Sequence, residues 1–162
     1  MGASGWDYIE TYRGSLQATL DALRQRAFEE DDYHWPDGGP KPPTLADLMS
    51  VFAIDEPSPD CDDESHQDAF DFATLMAQSG FQSILDVATV AAGPIGSGTI
   101  RPLTDAEALS DFGTERPTRA DYDRVGSARD QGDYERWEGR CVALHDADGT
   151  IAEVAFWGCS GD

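Results

Sequence analysis

The chain has 162 residues, 40% of them hydrophobic, which matches one ordinary domain that needs no disulfide or metal to fold. Thirty-two acids against eleven bases give a formal charge of −21. Such a field repels nucleic acid and anionic membranes, disfavours direct DNA or RNA binding, and attracts basic partners.

Trp6, Tyr8 and Tyr12 alternate with polar residues, the pattern of a short strand. A helix is predicted over 15–30: Ser15 is a suitable N-cap, and Leu16, Leu20, Leu23 and Ala27 make one apolar stripe. The stretch from Glu29 to Pro40 reads as a turn-rich loop. Thr44 and Asp47 open a short helix carrying Leu45, Leu48, Met49 and Phe52. Residues 55–67 read as a solvated acidic loop, followed by a helix over 67–79 that buries Phe72, Leu75 and Met76 and stops at Gly80.

Ile84 to Val87 is expected to be a strand, extended back towards Phe81, and Thr99 to Arg101 a second one across a glycine-rich connection. Thr104 and Glu107 form a capping box for a helix ending at Gly113, and Thr118 caps another through Arg129. The strongest β signal is the hairpin of 139–145 and 150–157, turning at Asp146 to Gly149. Together these elements predict an α+β fold: a small antiparallel sheet, including the C-terminal hairpin, covered by several short-to-medium helices in a single acidic domain.

No catalytic, metal or cofactor site emerges. Gly93 to Gly98 lacks the lysine of a phosphate loop and has no helix after it. Asp146, Asp148 and Gly149 open like a calcium loop, but Trp157 stands where the bidentate glutamate belongs. Asp60 to His66 mixes thiol, imidazole and carboxylates without metal-ligand spacing. Cys61, Cys141 and Cys159, an odd number at wide spacing, fit neither a disulfide framework nor a paired nucleophile. They suggest a reducing compartment, and the opening residues lack the features of a secretory signal or a myristoylation site, so the cytoplasm is expected. No apolar run reaches the ~20 residues of a membrane span.

The charge is uneven. Residues 1–26 are neutral, 27–100 hold fifteen acids and one base, and 101–162 hold fourteen acids and seven arginines. Two candidate sites follow. One is a partner-binding edge of Glu29, Glu30, Asp31, Asp32, Tyr33 and Trp35 with Asp60, Asp62, Asp63 and Glu64, where carboxylates steer a basic partner onto aromatic anchors. The alternative for that segment is that Trp35 folds back over the first helix. The other site is an anion pocket using Arg116, Arg119 and Arg136 beside Trp137 or Trp157, against the alternative that those arginines pair with neighbouring acids.

A small acidic α+β protein without catalytic residues is similar, in general type, to bacterial immunity proteins that neutralise toxins. That resemblance implies a non-enzymatic inhibitor of a basic protein partner. Two alternatives stand beside it. One is a small-ligand binder or enzyme built on the arginine cluster; the other is a salt-adapted cytosolic protein whose acidity has no dedicated partner.

Overall fold

The structure, a computed structural model, describes residues 5–35, 41–51, 64–93, 96–126 and 137–160. Strands β1 (Gly5–Thr11), β2 (Thr89–Val90), β3 (Thr99–Pro102), β4 (Glu138–His145) and β5 (Ile151–Cys159) form one sheet in the order β1-β5-β4-β3-β2. Helices are α1 (Leu16–Glu29), α2 (Leu45–Ser50), α3 (Glu64–Ser79), α4 (Asp105–Phe112) and α5 (Arg119–Val125). The α+β class is as the sequence implies, but the sheet is mixed rather than antiparallel throughout. β1, β5 and β4 pair antiparallel, whereas β4, β3 and β2 pair parallel. The parallel pair arises because α4 and α5 intervene between β3 and β4, so the chain returns to the same end of the sheet.

Alternation along the central strands builds a core on each face. Cys141, Val154 and Phe156 point into the larger core with Leu20 and Leu23 of α1, Leu48 of α2, Met76 of α3, and Ile84. Val142, Leu144, Ala155 and Trp157 point the other way, against Phe112 of α4 and Tyr122 of α5. In the larger core the Trp6 indole lies against two paired glycines. A Cβ on Gly158 would stand 2.6 Å from its Cζ2, and one on Gly139 2.7 Å from its Cη2. Glycine inside these strands is therefore the space that the ring occupies.

The caps read from the sequence are present. Ser15, Thr44, Thr104 and Thr118 each accept from a backbone N–H in the first turn, and the last two complete capping boxes with Glu107 and Asp121. The C-terminal hairpin turns as expected: Asp146 Oδ1 accepts from the N–H of Asp148 and of Thr150, so the aspartate shapes the turn.

Four expectations need correction. Ile84–Asp86 is a 3-10 turn and not a strand, because the Asp86 carboxylate takes the N–H of Phe81 at 2.7 Å and closes a capping box with Ser83. The adjoining strand is Thr89–Val90 instead. α3 begins at Glu64 and not at residue 67, and the rest of the expected acidic loop, 55–63, lies outside the described residues. Its buried stripe is Ala73 and Met76, while Leu75, about 100° away around the helix, is 51% exposed; the Phe72 side chain lies outside the described residues. α5 stops at Val125 rather than Arg129, because Gly126 ends it at a φ of +51°.

Candidate functional site

The acidic edge forms where α1 ends. Glu29, Glu30, Asp31 and Asp32 are exposed, and each carboxylate already has a local partner. Gln25 donates to Glu29 at 2.9 Å, Arg26 reaches Glu30 at 3.4 Å, and the Tyr8 hydroxyl bonds to Asp32. Asp31 sits at a φ of +56°, a conformation aspartate tolerates better than most residues, and its Oδ1 accepts from Lys41 Nζ at 2.7 Å. The same ammonium lies 5.4 Å from the centroid of the Tyr33 ring, which makes it a cation–π pair as well as a salt bridge. The hydrogen bond to Asp31 pulls the Lys41 ammonium above its usual pKa.

Tyr33 and Trp35 are half-buried. Tyr33 stacks on Phe28 of α1 and meets Phe81 edge-on, and both aromatics pack on the larger core. Each therefore has one side in the core and one towards solvent, between the two alternatives the sequence left open. Burial raises the Tyr33 hydroxyl above its usual pKa. Asp60, Asp62 and Asp63 lie outside the described residues, and Glu64 opens α3.

Of the three arginine candidates, Arg116 and Arg119 lie among the described residues. Arg119 pairs with Asp123 at 3.1 Å and with Glu153 at 3.2 Å. Arg116 is exposed, and Arg136 lies outside the described residues. Neighbouring Arg124 and Arg101 pair with Asp121 and Glu107, the latter holding the Glu107 carboxyl down to about 2. Trp157 is buried under Tyr122 in the smaller core. Neither described cysteine is activated: burial pushes the Cys141 thiol up to about 12, and burial and Glu138 raise Cys159. Among the described residues no cluster of three metal-ligating side chains occurs.

A different arginine has the unusual surroundings. Between α1, α2, α3 and the 3-10 turn lies a cleft of about 310 Å³ lined by Arg24, Met49, Met76, Leu85, Asp86 and Trp137, with Ser97 at its side. Arg24 Nη2 reaches Met49 Sδ at 3.0 Å, a weak acceptor, and its buried Nε has no hydrogen-bond partner among the described residues. The Asp21 carboxylate attracts it only from farther off, and burial pulls the guanidinium below its usual pKa. Burial likewise raises the Asp86 carboxyl, opposed by backbone N–H groups including those of Phe81 and Ser83.

Trp137 enters the cleft in a left-handed conformation, with a φ of +70°. Its N–H donates to Cys159 O at 3.1 Å and its carbonyl accepts from Gly98 N at 2.8 Å, so neighbouring backbone holds it there. A bulky aromatic in this region of φ is strained, and strain of this kind gathers at binding sites. Trp137, from the sequence-based anion pocket, borders this cleft, but the arginine beside it comes from α1; Arg119 lines a separate cleft of about 560 Å³ with Arg26, Asp7, Glu10 and Glu153.

Arg24 escaped the sequence reading because it lies only on the flank of the α1 stripe, four residues after Leu20. A flanking arginine normally extends to solvent, and nothing local marks one that stays in. No family model matches the chain, and no curated protein or solved structure matches it either.

Proposed function

We propose that this chain is a non-enzymatic binding protein of the cytoplasm that captures a basic protein partner on the acidic and aromatic edge at the end of α1. Inhibition of a toxin, in the manner of an immunity protein, is the form of that activity which best suits its size and charge. One observation carries the reading: the chain's single lysine is bound on this edge, its ammonium between the Asp31 carboxylate and the Tyr33 ring. A partner's lysine or arginine would meet the same pair of groups, with Glu29, Glu30 and Asp32 around them and Trp35 as the apolar anchor. The net charge of −21 supplies the long-range attraction.

A pull-down from the source organism at low salt identifies the partner, and stopped-flow mixing then measures its on-rate. Association is expected to slow by about tenfold or more between low and physiological ionic strength, and several-fold more in a Glu29→Lys/Glu30→Lys variant. An on-rate indifferent to both would remove the electrostatic capture.

A further inference from the structure

We propose that the cleft between α1, α2, α3 and Trp137 binds a small organic acid: one carboxylate on a compact apolar body. The inference is independent of the basic partner, because it rests on a cation and not on the acidic edge. Thirty-two acids stand against eleven bases in this chain, so a carboxylate salt-bridged to an arginine is the common arrangement. Arg13, Arg26, Arg101, Arg119 and Arg124 all have one. Arg24 instead contacts a thioether at 3.0 Å, and its Nε–H is buried without an acceptor among the described residues. A planar guanidinium whose hydrogen bonding is incompletely satisfied is a group that matches a carboxylate.

The other walls define the rest of the ligand. Met49, Met76 and Leu85 offer an apolar, adaptable surface, and the Trp137 ring offers a flat one. At about 310 Å³ the cleft is at the small end of the range for ligand pockets, ~300–1,000 Å³. A single negative charge is favoured over a phosphate, since among the described residues one arginine lines the cleft and the Asp86 carboxylate is another of its walls. Gly80 completes the arrangement: a side chain there would collide with the Trp137 ring, so glycine lets the indole lie where it borders the cleft.

The test is to titrate the full chain with benzoate, phenylacetate and hexanoate, with neutral benzamide as the control, following thermal unfolding and the 15N resonance of Arg24 Nε. Saturable stabilisation by at least one of the acids is expected, with a shift of the Arg24 resonance and at least tenfold weaker binding of benzamide. An Arg24→Met variant should lose the response to the acids at least tenfold, yet be no less stable than the parent without ligand. No saturable response to any of the three acids would overturn the proposal, as would an unchanged response in Arg24→Met. A ligand-free Arg24→Met chain that melts several degrees lower would also overturn it, since that would mean the guanidinium is already paired inside the protein.

Discussion

A Cβ on Gly80 would stand 2.0 Å from Cζ3 of Trp137 and 2.7 Å from Oδ1 of Asp86, and the residue's φ of +65° already disfavours any side chain. Gly80→Ala should therefore cost about 2–4 kcal/mol, the backbone penalty and the overpacking acting together. Urea unfolding at equilibrium measures it, and a loss under about 1 kcal/mol would mean that the Trp137 ring moves aside freely. At this scale the sequence was only half legible. It marked Gly80 as the stop of α3, but not as the seat of an indole fifty-seven residues later. Arg24 likewise reads as an ordinary surface residue, and only the three-dimensional neighbours of its guanidinium make it exceptional.

α1 closes both edges of the sheet. Near its start, Gln17 behaves as a substitute strand for β2: its Oε1 accepts from Val90 N at 2.9 Å and its Nε2 donates to Ala88 O at 3.0 Å. Near its end, Arg26 donates to Ile9 O of edge strand β1 at 3.2 Å, while its Nε holds the buried Glu10 carboxylate at 2.8 Å. Unpaired edge groups invite another strand, so these two side chains protect the sheet from self-pairing. A Gln17→Ala/Arg26→Ala chain is expected to self-associate at concentrations where the parent does not, as sedimentation velocity would show. Equal behaviour of the two would place edge protection elsewhere. The helix itself was readable from Ser15 and its leucine stripe, because capping and periodicity are local. The edge contacts span more than seventy residues in the case of Gln17, and no local pattern encodes them.

For the whole molecule, the charge of −21 opposes the compact state by self-repulsion. Local pairs such as Arg101 with Glu107 and Arg119 with Glu153 relieve part of it, chiefly in the C-terminal third. Shortening the Debye length from ~30 Å to ~8 Å by raising salt from 0.01 to 0.15 M should weaken the repulsion more than the close pairs. A stabilisation of about 1 kcal/mol is expected, or roughly 2–4 °C in calorimetry. A melting temperature that falls with salt would show that the ion pairs outweigh the repulsion. Salt is thus expected to stabilise the fold while slowing capture of a basic partner, two opposite responses from one charge distribution.

The sequence by itself determined the α+β class, the helix starts at Ser15, Thr44, Thr104 and Thr118, the C-terminal hairpin, and the uneven charge, since capping, alternation and composition act over a few residues. The tertiary structure decided the rest. It made β3 parallel to β4, turned 84–86 into a 3-10 turn around Asp86, set Tyr33 half into the core, and left Arg24 Nε without a hydrogen-bond partner among the described residues, in the cleft that Trp137 borders. Each of these depends on which distant groups become neighbours, and that is fixed by packing two cores against one sheet rather than by any short stretch of chain.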